Sequence, residues 1–187
     1  MRILVLHSAY GLRPAIHAAS SRMEAAGHVV HAPDLYDGAT ADTLERALAL
    51  RDAVGREALL DRALAEVEAW RPDVLLGFSL GASLVQRVAV RRGAPPRLVL
   101  FHGIAESDVQ LPPRMDLLAH VAQPDDFASD EELAAWRQAF MRAGARVELR
   151  RYPGAGHLFT DPDLPDFDEA AAESAWDSTL RWLAAGD

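Results

Sequence analysis

The sequence predicts a single α/β domain: a mostly parallel sheet of about six strands, helices on both faces, and no cap domain. Three observations carry this. Short apolar runs recur along the chain without the polar alternation of a half-solvated strand, as expected of strands covered on both faces. Stretches with helix start and stop signals separate them. The chain has 187 residues, half of them apolar, which suits one hydrophobic core, and it shows no internal repeat or linker.

The elements follow in order. Ile3 to Leu6 is a buried-strand run. Arg13 to Ala26 reads as a helix, with Pro14 in its first turn and Gly27 in the left-handed position after its end. His28 to Ala32 is a second strand. Asp42 to Trp70 is helical, opened by Asp42 with Glu45 three residues on, divided at Gly55 and ended by Pro72. Val74 to Phe78 is a third strand, and Leu80 to Arg92 a helix closed by Gly93. Leu98 to Phe101 and Leu117 to Ala122 are the fourth and fifth strands. Residues 102–115, with Gly103, Pro112 and Pro113, lack helical periodicity and read as a loop crossing near the strand ends. Ser129 and Glu132 cap a helix that runs to Gly144. Val147 to Tyr152 is a sixth strand. Phe167 to Ala185 is the closing helix, with Ala171, Ala175, Leu180 and Leu183 near one face.

Composition excludes several functions. The formal net charge is -9, from 28 acidic residues against 19 basic ones, all arginine, which is the wrong field for a nucleic-acid binder. The acids are dispersed and read as solvated helix faces. With no cysteine, disulfides, thiolate nucleophiles and cysteine-based metal sites are excluded. The opening apolar run is too short for a signal-peptide core, and no stretch approaches the ~18 apolar residues of a membrane span. A cytoplasmic protein with no membrane partner is expected. The loop after the first strand lacks G-x-G-x-x-G, so a dinucleotide-binding fold is a poor reading.

The chemistry centres on Gly77-Phe78-Ser79-Leu80-Gly81, a G-x-S-x-G pattern. A chance match somewhere in this composition has a frequency of about 4%, so the string alone is a modest indication. Its place adds more, because it lies between a strand and a helix, where a sharp turn lifts one hydroxyl above the sheet. The flanking glycines give room there, and helix-terminal N–H groups beside Ser79 suit a developing oxyanion. His157 lies in a Gly-rich turn after the last strand and can reach Ser79 as a base. The acid is expected on the loop after the fifth strand, where Asp125 and Asp126 compete; the residues do not separate them. The order Ser, Asp, His is that of the α/β-hydrolases. Of the other histidines, His7 and His102 end strands and are pocket candidates, His120 reads as core, and His17, His28 and His31 as structural. No ligand-pair spacing supports a metal site.

Three segments give these residues a family likeness: Leu6 to Leu12, Ala32 to Gly38, and Tyr152 to Thr160 followed by Phe167 to Ala171, with "GAGHLFTD" and "FDEAAAESAW" the most particular strings. The chain resembles the dienelactone hydrolase family of the α/β-hydrolase superfamily, as a short variant with a serine nucleophile. The resemblance implies that Asp125, followed by one residue and then Phe127, is the triad acid. It implies an oxyanion hole made from the backbone N–H groups of Leu80 and Ala9. Where family members often carry a cysteine nucleophile and a glutamate in the first loop, this chain has Ser79 and Ser8. The family's N-terminal hairpin has no counterpart ahead of the first strand, which would leave an edge for a second copy to cover, so a homodimer is one expected assembly.

The expected function is cleavage of a small ester or lactone through an acyl-enzyme, with no metal or organic cofactor. Further pocket candidates are Ser8, Tyr10 and Phe159, with residues 103–115 as a rim; Asp34 and Tyr36 follow the second strand and read as structural or as reaching the site. No arginine stands out as an anchor for a carboxylated substrate. The rival readings are a general carboxylesterase or thioesterase with the same triad, and a hydrolase-fold binding scaffold without turnover.

Overall fold

The computed structural model describes residues 1–92, 97–105 and 115–186. Six strands, β1 (Arg2–Leu6), β2 (Val29–His31), β3 (Val74–Phe78), β4 (Arg97–Phe101), β5 (Asp116–Gln123) and β6 (Arg146–Pro153), form one sheet in the order β2-β1-β3-β4-β5-β6. Every neighbouring pair is parallel. Six helices connect and close it: α1 (Pro14–Ala25), α2 (Leu44–Val54), α3 (Arg56–Trp70), α4 (Leu80–Arg92), α5 (Asp130–Arg142) and α6 (Glu169–Ala184). Among the described residues no insertion forms a cap domain. Gly93 and residues 106–114 of the expected crossing loop lie outside the described residues.

Successive strand residues point to opposite faces, and the core divides accordingly. Ile3 and Val5 of β1, with Val74, Leu76 and Phe78 of β3, pack under α1 and α6 against Ile16, Met23 and Trp176. Leu4 and Leu6, with Leu75, Leu98 and Leu100, pack on the other side against Leu59, Val67, Val85 and Trp136 of α3, α4 and α5. The continuous apolar runs of the central strands follow from this double cover. At the sheet's edge, β6 is only half covered: Arg146 and Arg150 face outward, paired with Asp116 and Glu148.

Most helix ends obey their sequence cues. Pro14 starts α1, and Ser129 with Glu132 forms a full capping box on α5. Gly55, at φ +87°, separates α2 from α3, a backbone conformation that suits glycine. Two expectations shift. Thr43, not Asp42, caps α2, its hydroxyl accepting from the Arg46 N–H at 3.3 Å; Asp42 instead faces the Arg46 guanidinium at 3.6 Å. Asp168 caps α6, so Phe167 lies outside the helix, and the buried stripe runs through Ala172, Ala175, Trp176, Thr179 and Leu183. Capping depends on one side chain's reach, which periodicity does not register.

Candidate active site

The chain leaves β1 toward β2 on one side and returns to β3 on the other. Beside β3, the carboxyl ends of the strands therefore open into a crevice, the place where doubly wound sheets hold ligands. Ser79 stands there, between the last residue of β3 and the first of α4, at φ +50°. A non-glycine residue is strained in that region, and the surroundings hold it: the Ser79 N–H donates to the Phe101 carbonyl at 2.8 Å, and the Ser79 carbonyl accepts from Ser83 N–H at 3.1 Å. The flanking glycines are required by space. A Cβ on Gly77 would stand 2.3 Å from the Gly81 carbonyl carbon, and one on Gly81 2.2 Å from the Leu6 carbonyl oxygen. Both obstacles are backbone, so the G-x-S-x-G spacing here reports strand and helix pressed together.

His157 arrives on the loop after β6. The Asp166 carboxylate accepts from the Leu158 N–H at 2.9 Å, and a Cβ on Gly156 would stand 2.8 Å from the Asp166 Cβ. Asp161 and Asp163 of the same loop face the Arg13 guanidinium at 3.5 and 3.6 Å, while Arg13 also donates to the Ala41 carbonyl. Burial raises the Asp161 carboxyl above its ordinary value, against the pull of Arg13. Arg13 thus ties three loops around the crevice. Sequence reasoning missed it, since an arginine before a helix looks like any solvated charge.

Asp125 follows β5. Its side chain has no solvent exposure, and both carboxylate oxygens lie 3.0 Å from His157 Nδ1. One of them also accepts from the Phe127 N–H at 2.8 Å. Asp126 points out to solvent on the cleft wall, so the adjacent acids separate cleanly. A carboxylate can only accept, so Nδ1 carries the imidazole proton and Nε2 is left as an acceptor. Ser79 Oγ lies 2.9 Å from that Nε2 and donates to it. The arrangement can take a proton from a hydroxyl and hold the resulting imidazolium beside a buried carboxylate.

Around these groups is a cleft of about 820 Å³. Its walls come from the loop after β1, the start of α2, the first turns of α4, the end of β4, Phe127, α5 and the loop after β6. Ala9 and Leu80 both line it. The turn after β1 uses the Tyr10 and Gly11 N–H groups, both held by Ser8, while Leu80 N–H is the first of α4.

The pocket candidates divide. Tyr10 and His102 line the cleft. His7, Ser8 and Phe159 do not line it; Ser8 instead lines a smaller pocket beside α1 and α6. His7 is fully buried: its Nδ1 donates to the Ser8 carbonyl and its Nε2 accepts from Leu35 N–H. Ser8 spends its hydroxyl inside its own turn, accepting from Tyr10 N–H. Phe159 is core, packed edge-on to His102 and against Tyr152. Each of the three is held away from the cleft by its own local contacts, His7 by the turns after β1 and β2, Ser8 by its own turn and Phe159 by the aromatic core. Asp34 caps its own turn by accepting from the Tyr36 and Gly38 N–H groups, a structural role. His120 is core, as expected, held by the Tyr152 hydroxyl at 2.7 Å and the Thr179 hydroxyl at 2.9 Å. His102 faces the Thr160 hydroxyl at 2.7 Å. Burial pushes His102 well below the ordinary histidine value, and His120 down to about 3.

Known proteins match along the whole chain. Carboxymethylenebutenolidase 1 of Cupriavidus pinatubonensis is 26% identical over 97% of this chain and 85% of its own. The crystal structure of a dienelactone hydrolase-like promiscuous phosphotriesterase from metagenomic libraries superimposes with a TM-score of 0.75 at 21% identity, covering 98% of this chain and 85% of that one, and shares the fold. The model of the dienelactone hydrolase family matches residues 1–186, and the chain belongs to that family.

Proposed function

We propose that this hydrolase cleaves small esters or lactones through an acyl-enzyme on Ser79. The observation that carries the reading is the continuous relay from Ser79 Oγ through both nitrogens of His157 to the buried carboxylate of Asp125. His157 Nε2 takes the hydroxyl proton as Ser79 Oγ bonds to the carbonyl carbon. The N–H groups of Leu80 and Ala9 receive the oxyanion. The bond to the alcohol oxygen then breaks, and Nε2 returns the proton to that oxygen. Water, deprotonated by His157, releases the acid and restores Ser79. Asp125 fixes the imidazole tautomer and stabilises the imidazolium.

The elbow supports this reading because it spends backbone strain on presenting one hydroxyl. The name of the Cupriavidus relative supports a lactone or ester as the substrate bond. The test is hydrolysis of p-nitrophenyl acetate by the wild-type protein and by Ser79→Ala. Turnover should vanish in the variant while its circular dichroism and melting stay close to wild type. A variant that keeps the wild-type rate would end the proposal.

A further inference from the structure

We infer that the cleft selects uncharged esters with an apolar alcohol group, and that Phe127 is the residue that holds this group. The inference rests on the hydrolase reading above and adds a substrate class to it.

Phe127 is 54% exposed, which alone means little for a surface aromatic. Its place gives it meaning. The ring packs on the His157 imidazole at 4.3 Å between centroids, tilted by 43°. Its backbone N–H is held by the same Asp125 carboxylate that holds Nδ1. The ring therefore lies against the group that must protonate the leaving alcohol. That oxygen has to come within hydrogen-bond reach of Nε2, so the carbon chain attached to it starts beside the imidazole. An apolar chain there can cover the open side of Phe127 and gain by leaving water.

The charges around the cleft point the same way. Four carboxylates, Asp42, Asp126, Glu132 and Asp166, line it against three guanidiniums, Arg51, Arg56 and Arg87. Arg51 is bonded to Asp52 at 2.8 Å, and Arg87 faces Glu57 at 4.0 Å. The whole chain adds a formal charge of -9. A carboxylated substrate would approach through a negative field. Leu44 at the start of α2 is 45% exposed and also lines the cleft, so apolar surface is available on a second wall.

The test compares ethyl acetate with hexyl acetate, whose leaving alcohols have similar reactivity, and phenyl acetate with 4-carboxyphenyl acetate. Wild-type protein should prefer hexyl over ethyl acetate by about tenfold in kcat/KM, carried by KM, as expected for a few methylenes on a half-open apolar wall. It should also prefer phenyl acetate to its carboxylated form. Phe127→Ala should collapse the hexyl-to-ethyl ratio toward one, and Phe127→Leu should restore part of it. A wild-type ratio near one, a preference for the carboxylated ester, or an equal loss on both acetates in Phe127→Ala would overturn the inference. Equal loss would mean that the ring acts only on His157. Failure of wild type to hydrolyse any of the four esters, or undiminished hydrolysis by Ser79→Ala, would instead remove the hydrolase reading and this inference with it.

Discussion

The loop after β6 and the buried floor beneath it carry the same side chain in opposite conditions. On the loop, His157 lies between a carboxylate and a hydroxyl, and its side chain keeps 10% of its surface open. On the floor, just after β4 and within β5, His102 and His120 have no solvent exposure and only neutral hydroxyl partners. Burial holds both floor imidazoles neutral, with no carboxylate bonded to either ring to offset it. Of these three histidines, only His157 has a carboxylate on one ring nitrogen and a serine hydroxyl on the other, the arrangement that proton transfer needs. The same ring one layer deeper is a polar packing unit.

The comparison breaks most easily at the relay. His157→Ala and Ser79→Ala should each lower kcat on an activated ester by roughly a millionfold, because the members of such a relay act as a unit. His120→Gln should leave the esterase rate near wild type. An equal loss in His120→Gln and His157→Ala would erase the distinction between loop and floor.

Next in size is the pair of adjacent acids. Asp125→Asn should lower kcat by roughly ten-thousandfold, through the wrong imidazole tautomer, whereas Asp126→Asn should change it by no more than about threefold. Steady-state rates on one ester settle this, and a larger loss at Asp126 would reassign the acid.

The floor should appear in stability. The unfolded chain takes up a proton on His120 near pH 6.5 that the folded protein refuses until about pH 3. Its folded value is depressed, so the stability this histidine gives is complete above pH 6.5 and is lost as pH falls toward 3. Through that window the loss should approach about 1.4 kcal/mol for each pH unit. Urea melts of wild type and His120→Gln from pH 7 to pH 4 should diverge in slope, the variant being flatter. Parallel slopes would show that the buried ring is protonated in the folded state. The smallest effect concerns the α2 cap: Thr43→Ala should cost about 1 kcal/mol in the same melts, and Asp42→Ala a few tenths.

How much was legible in the sequence follows from these cases. The sheet was readable because double burial writes continuous apolar runs at β1, β3 and β4. The elbow was readable because only glycine fits where Gly77 and Gly81 meet backbone. Among seven histidines, His157 was legible from its place after the last strand as the ring that faces Ser79. Asp125 against Asp126 was not readable from the residues, since one position decides which carboxylate turns inward; family resemblance singled out the acid that the structure buries. The same single-position sensitivity moved the α2 cap from Asp42 to Thr43. Arg13 had no local mark, because its partners lie far along the chain, and Phe127 was legible only as a neighbour of Asp125, since the ring it packs on arrives from the loop after β6.

The central claim is that Ser79 is a nucleophile made reactive by His157, and covalent labelling tests it most directly. Treatment with a fluorophosphonate, followed by intact mass and peptide mapping, should give one adduct, on Ser79, and little or none in His157→Ala. No adduct on the folded wild-type protein, or an adduct on another residue, would contradict the account.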